Sequence, residues 1–155
     1  MQVVNPIIAG LTATQEKGLG HFAIIYGQIE AASFGVKYIG NQIQWGVGQR
    51  PGYPDNYEGM PSGHTASAWS GASYVRAFSP DYAYLVVPLY ATSIATGYSR
   101  ITSQQHSTGQ VVVGALIAEI LTFANSKLRW SENYQPKFTF SYGDQQSRVE
   151  FFMRF

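Results

Sequence analysis

Two histidines and two arginines lie in short motifs that could bind and transfer a phosphoryl group. Residues 61–64 read Pro-Ser-Gly-His, and Ser99-Arg100 is followed, after five residues, by His106. A guanidinium makes bidentate, permanently charged contacts with phosphate oxygens. Imidazole titrates near neutrality, so two histidines can divide a nucleophilic and a proton-transfer role. Positioning and charge stabilisation do most of the work in phosphoryl transfer, so these residue types indicate that chemistry.

The three motifs together resemble the signature of the type 2 phosphatidic acid phosphatase family, which also includes bacterial class A acid phosphatases and vanadium haloperoxidases. The first motif is Arg50-Pro51, the second is residues 61–64, and the third is Ser99-Arg100 with His106. The resemblance implies that His106 is the nucleophile that forms a phosphohistidine and that His64 protonates the leaving oxygen. It implies no metal or cofactor. The remaining matched residues would hold the phosphate: Arg50, Ser62, Gly63 and Arg100.

The chain departs from the family pattern at two positions that normally carry charge. The family Asp, four residues after the nucleophilic His, is replaced by Gln110. The family Lys, seven residues before the Arg, falls on Ile43, or on Gln44 with a one-residue gap, while Lys37 lies further upstream. A Gln carbonyl can accept the ring N–H of the His, but it brings no charge to the imidazolium. We therefore expect impaired phosphatase activity. If the protein is an impaired enzyme, Gln110→Asp should raise its turnover. If it is a purely structural descendant, Gln110→Asp should have no effect.

Composition limits the function classes. The chain has 155 residues, a formal net charge of +1, 12% charged residues and no cysteine. A net charge so close to zero gives no basic footprint for nucleic acid. The length predicts one domain, and low charge favours an envelope or secreted protein. No signal peptide is visible, and no uninterrupted apolar run reaches the ~18 residues that a membrane span needs, so a soluble, acid-phosphatase-like arrangement is expected.

The pattern predicts a mainly α fold with a C-terminal β-hairpin, and the resemblance implies a compact helical bundle of the acid phosphatase and haloperoxidase type. We place a phosphatase-like helical domain at 1–130 and a hairpin extension at 131–155. His21 lies outside the motifs and is interpreted as structural or surface. The predicted helices cover 19–44, 62–78, a buried segment at 82–97, and 106–127, separated by loops at 46–60 and 98–105.

The tail at 137–155 alternates apolar and polar residues at period two, which is typical of a hairpin. Its free edge could pair with envelope protein partners, or the hairpin could cover an apolar helix face. One hairpin cannot form a barrel, so the pattern indicates no more than an envelope location, in the periplasm or at the outer membrane.

Three hypotheses follow. The first is a bacterial envelope phosphatase that hydrolyses phosphomonoesters or lipid phosphates through phosphohistidine, with impaired activity. The second is a pseudophosphatase that serves as a structural component of an envelope or outer-membrane complex. The third is a vanadium haloperoxidase, against which the missing Lys and the small size both argue.

Overall fold

The computed structural model of the protein describes residues 2–53, 55–128, 137–141 and 148–152. Most of these residues are helical, which confirms the mainly α prediction. Two 3₁₀ helices, Gly46–Gly48 and Pro80–Leu85, accompany the α-helices. The α-helices within the described ranges are α1 (Val4–Gln15), α2 (Leu19–Gln42), α3 (Gly63–Phe78), α4 (Val86–Thr102) and α5 (Thr108–Leu128).

Helix α3 is the centre of the bundle, and the other four helices pack around it. Its sequence is rich in alanine, serine and glycine, and almost all of its middle is buried. Small side chains allow neighbouring helices to approach closely. At Gly114 of α5, a Cβ atom would lie 2.5 Å from the Ser62 carbonyl oxygen, so α5 contacts the start of α3 with no side chain between them.

An aromatic cluster fills the core at the far end of α3. Tyr74 is fully buried, and its ring packs against Phe22 and Phe78. His21 is also buried, with Nδ1 2.8 Å from the Tyr74 hydroxyl and its ring edge-on to Phe78. His21 is therefore a hydrogen-bonded core residue.

Helix α4 differs from its predicted bounds of 82–97. It begins at Val86, which places Pro88 in its first turn. A proline fits there because its missing N–H would have no partner in the first turn. In a helix that began at 82, Pro88 would lie in the interior and remove a backbone hydrogen bond. It continues past Gly97, where the predicted helix ended, because Gly97 is a packing position: a Cβ atom there would lie 2.7 Å from Val111. Arg100 therefore lies in the last turn of α4, and its predicted placement in a loop is wrong.

Helix α5 also starts later than predicted. The Ser107 hydroxyl accepts a bond of 3.3 Å from the Gln110 N–H, in the manner of an N-cap residue, and the helix begins at Thr108. His106 consequently precedes the helix instead of lying in its first turn, while Gln110 is within it.

The outer faces of α4 and α5 are apolar and exposed. The expected burial of the 82–97 segment is wrong, since only one face of α4 is buried and Val87 and Ile94 are exposed. In α5, the 20 residues Thr108–Lys127 contain an 18-residue window with a mean hydropathy of 1.4, of which 33% is buried. This helix is long and apolar enough to cross a membrane by length and composition. The sequence analysis did not single out this helix because it required an uninterrupted apolar run, and Glu119 interrupts the run without lowering the mean hydropathy below that of a candidate span.

Two strands lie in the C-terminal part, β1 (Lys137–Ser141) and β2 (Arg148–Phe152), and they pair antiparallel with Lys137 opposite Phe152. The residues between them, 142–147, lie outside the described residues. The hairpin extension at 131–155, the domain division and the partner interface at 137–155 stay predictions.

Candidate active site

The second and third motifs are joined by backbone hydrogen bonds. The Ser62 N–H donates to the Gln110 carbonyl oxygen over 2.9 Å. The His106 N–H donates over 3.2 Å to the carbonyl oxygen of Arg100, which closes the turn between α4 and α5. Ser62 is buried, and its hydroxyl accepts a 2.9 Å bond from Thr65. The start of α3 and the turn before α5 therefore form one surface.

The side chain of Gln110 attaches the first motif to that surface. Its Nε2 donates to the carbonyl oxygens of Val47, over 3.0 Å, and Gln49, over 2.8 Å. These carbonyls belong to the segment that leads directly into Arg50. Gln110 is 1% exposed, so both bonds are shielded from water.

His106 is held in one orientation by a backbone carbonyl. Its Nδ1 lies 2.9 Å from the carbonyl oxygen of Gly59 and 3.3 Å from Oε1 of Gln110. Both of these oxygens only accept, so Nδ1 carries the proton and Nε2 keeps its lone pair. Burial, reinforced by the charge of Lys37, lowers the pKa of His106 to about 4. The imidazole is therefore neutral, with Nε2 available as a nucleophile.

Gly59 is a site residue that the sequence analysis missed. A Cβ atom at this position would lie 2.6 Å from Nε2 of Gln110 and 2.6 Å from the Gly48 carbonyl oxygen. No side chain fits between the two loops, so glycine is required for the carbonyl to reach His106. The available signal was a glycine two residues before the second motif.

Lys37 lies near the two motif arginines and is a third cation in this region. Its Nζ donates over 2.6 Å to the Glu58 carbonyl oxygen, and its Cε would lie 3.7 Å from a Cβ atom at Gly63. Burial, followed by the charges of Arg50 and then Arg100, lowers the pKa of Lys37 to about 8. Three cations are thus close enough to repel one another.

The spacing rule placed the cation at Ile43 or Gln44, both of which are exposed at the end of α2. The chain between the Lys and the Arg is longer here than in the family signature, because it forms the end of α2 and a 3₁₀ helix. Lys37 is the one Lys or Arg between Lys17 and Arg50, and this was the signal that could have found it.

The two arginines of the motifs have unused donors. Within the described part of the chain, no hydrogen-bond partner accompanies the buried Nε of Arg50 or that of Arg100. Arg76 shows the alternative, since its guanidinium is bonded to Tyr90 and Glu119. A buried donor without an acceptor costs free energy, and an anion bound between these two guanidiniums would supply the missing acceptor.

His64 lies at the exposed side of the cluster, in the first turn of α3 next to Gly63. Burial lowers its pKa, and the charges of Arg100, Lys37 and Arg50 lower it further. These effects place His64 in the same electrostatic environment as the three cations. The predicted site residues are thus brought together, and Lys37 and Gly59 are added to them.

Comparisons with known proteins identify the family of this chain. The family model described as PAP2 superfamily matches residues 23–134. This chain belongs to the PAP2 superfamily. It is also 32% identical over 146 residues to the lipid A 4'-phosphatase of Helicobacter pylori, with 85% of this chain and 67% of the relative covered. No solved structure matches this fold significantly. The resemblance seen in the motifs is confirmed.

The contacts of Gln110 reverse the expectation for Gln110→Asp. A carboxylate cannot donate to the Val47 and Gln49 carbonyls, and an Asp is also one methylene shorter. We predict that Gln110→Asp and Gln110→Glu lower the stability of the protein, by about 1–3 kcal/mol for each carbonyl that loses its donor. Urea unfolding measures the change, and the defect of Gln110→Glu should shrink as the pH falls, because a protonated carboxyl can donate again.

Gln42→Glu is the matched control, because Gln42 is exposed at the end of α2 and should tolerate the same change. A Gln110→Asp protein with unchanged stability and higher phosphatase turnover would contradict this account and would support the hypothesis of a missing charge.

Proposed function

We propose that this protein is an envelope phosphatase that hydrolyses the phosphomonoester of a membrane lipid through a phosphohistidine at His106. The observation that carries the proposal is the arrangement around His106. A neutral imidazole with a free Nε2 lies among three cations, and two of them have unused buried donors. This arrangement suits a dianionic group that accepts a nucleophile in line.

The proposed first step transfers the phosphoryl group to the protein. Nε2 of His106 attacks phosphorus while the bond from phosphorus to the ester oxygen breaks. Protonated His64 gives its proton to that oxygen, so the alcohol leaves neutral. Lys37, Arg50 and Arg100 bind the phosphate oxygens, and the N–H groups at the start of α3 add to the positive potential.

The second step releases phosphate. His64, now neutral, takes a proton from water as the water oxygen attacks phosphorus and the bond to Nε2 breaks. Inorganic phosphate leaves, and both histidines return to their starting protonation states. The Gly59 carbonyl stabilises the Nδ1 proton throughout, which is the orienting role of the family Asp, though without its charge.

Two observations support a lipid as the substrate. The Helicobacter pylori relative is a lipid A 4'-phosphatase. Helices α4 and α5 carry exposed apolar side chains, and α5 is long and apolar enough to cross a membrane by length and composition. Exposed apolar area of this kind marks contact with a membrane or another apolar partner. We therefore infer a membrane-associated location in the envelope.

The hypothesis of an impaired site or pseudophosphatase depended on two missing charges. Lys37 replaces one of them, and the Gly59 carbonyl with Gln110 replaces the orienting contact of the other. These substitutes favour an active enzyme.

The direct test is turnover of a lipid phosphomonoester by the wild type beside His106→Ala and His64→Ala. We expect His106→Ala to abolish turnover and His64→Ala to lower it by about 10²–10⁴-fold. Acid-labile radiolabelled phosphate should be trapped on the wild type and should accumulate on His64→Ala, whose second step is also slow. Absence of turnover and of trapped phosphate in a folded wild type would support the structural alternative.

The pKa shifts predict an acid optimum for kcat/KM, which reports the ionisations of the free enzyme. Activity needs neutral His106, so it should rise as the pH increases through about 4. It also needs protonated His64, whose pKa is held below its usual value by burial and by Arg100, so activity should fall before the pH reaches that ordinary value. A pH–rate profile with an alkaline optimum would refute these assignments.

A further inference from the structure

A groove with a volume of about 440 Å³ runs between α4 and α5. One end is lined by Ile101 and Val111, which directly follow Arg100 and Gln110 in the chain. The other end is lined by Ser93 and Glu119. The volume falls in the range of small-molecule sites, roughly 300–1,000 Å³. The groove therefore begins beside the phosphate site and leads away from it.

The groove exists because α4 and α5 each pack on α3 but contact one another little. Its floor includes Trp69 of α3 and the small Ala115 of α5. From Val111 to Glu119 the helix rises about 12 Å, at 1.5 Å per residue. This is a long, narrow shape.

The walls are apolar. Three apolar or aromatic residues line the groove and are about half exposed or more: Ile94, Tyr98 and Leu116, whose exposed fractions are 60%, 67% and 49%. Glu119 is the one charged residue among the described residues that line it. If the charge of Glu119 is compensated by neighbouring groups, the described residues of the walls offer no charged side chain that would bind a charged ligand.

Glu119 is neutralised within the fold. One of its carboxylate oxygens accepts bonds from the Trp69 ring N–H, over 2.9 Å, and from the Tyr90 hydroxyl, and the other accepts from Arg76. This cluster closes the far end of the groove. A ligand there meets apolar surface and a polar end that already has its partners.

We propose that the α4–α5 groove binds an acyl chain of the lipid whose phosphate is held at Arg50, Arg100 and His106. The inference rests on the proposed function and adds the part of the substrate that the phosphate site does not touch. The occupant follows from the position of the groove next to the phosphate site. An acyl chain that extends from a phosphate bound at Arg100 reaches Ile101 next, and beyond Ile101 the walls are apolar. Binding energy from this remote chain would position the phosphate for attack.

The test compares two phenylalanine substitutions on one helix. Ala115→Phe fills the floor of the groove, and Ile120→Phe, on an exposed position outside the groove, is the matched control. Each variant is assayed with a long-chain lipid phosphomonoester in detergent micelles and with a water-soluble aryl phosphate. Each methylene displaced from the groove should cost about fourfold in kcat/KM (about 0.8 kcal/mol).

We expect Ala115→Phe to lower kcat/KM for the lipid by 10-fold or more, since several methylenes are displaced at about fourfold each, and to leave the aryl phosphate unchanged. Ile120→Phe should change neither. Equal effects of Ala115→Phe on both substrates, or none on the lipid, would overturn the groove assignment while the proposed function stands. If Ala115→Phe does not fold, Leu116→Gln with Ile120→Gln replaces the pair.

A second measurement does not depend on turnover. A non-hydrolysable lipid phosphonate with a diazirine at the end of its acyl chain is bound to the wild type, activated by light and mapped by peptide sequencing. We expect label in 93–98 and 112–119. Label confined to α2, or crosslinks that join two copies of the chain through these residues, would show another occupant and overturn the proposal. Failure of the wild type to turn over both the lipid and the aryl phosphate, with label in the groove, would instead remove the proposed function alone.

Discussion

The amide of Gln110 holds together the parts of the chain that form the site. Its Nε2 fixes the segment before Arg50, its Oε1 lies beside the ring of His106, and its backbone carbonyl binds Ser62 at the start of α3. An amide can both donate and accept, and a carboxylate cannot. The same residue that departs from the family signature therefore makes this packing work, and the loss of charge at this position is coupled to the gain of two hydrogen bonds.

With Gln110 in place of the family Asp, a backbone carbonyl orients the ring of His106. The Gly59 carbonyl binds Nδ1 of His106 at 2.9 Å, closer than Gln110 does. A neutral acceptor fixes the tautomer but favours the imidazolium less than a carboxylate would, so it offsets only part of the lowering of the His106 pKa by burial and by Lys37. A nucleophile of this kind stays unprotonated in mildly acidic conditions. The expected cost is weaker stabilisation of the charge that develops on the ring during transfer.

The motifs located the region that the structure assembles: His64, Arg100 and His106 lie near one another, although Arg100 lies in a helix and His106 before one, and their catalytic roles stay predictions. The family spacing did not locate Lys37, because the length of the chain between it and Arg50 depends on where α2 ends. The motifs did not single out Gly59, because it contributes a backbone carbonyl and no side chain. The sequence analysis placed Arg100 in a loop because a glycine such as Gly97 often marks the end of a helix. Here Gly97 lies within the helix, where the absence of a side chain lets Val111 pack closely. Tertiary packing overrode local preference in each case.

The central claim is that Lys37, Arg50 and Arg100 converge into one anion site beside His106. Titration calorimetry with orthovanadate tests it most directly, with wild type, Lys37→Gln, Lys37→Arg and the surface control Lys17→Gln compared below pH 8, where Lys37 is charged. A lost charge-assisted contact is worth about 1.5–3 kcal/mol, so Lys37→Gln should bind vanadate about 10–100-fold more weakly. Lys37→Arg should retain most of the affinity, and Lys17→Gln should match the wild type. Equal affinity of Lys37→Gln and the wild type would contradict the account.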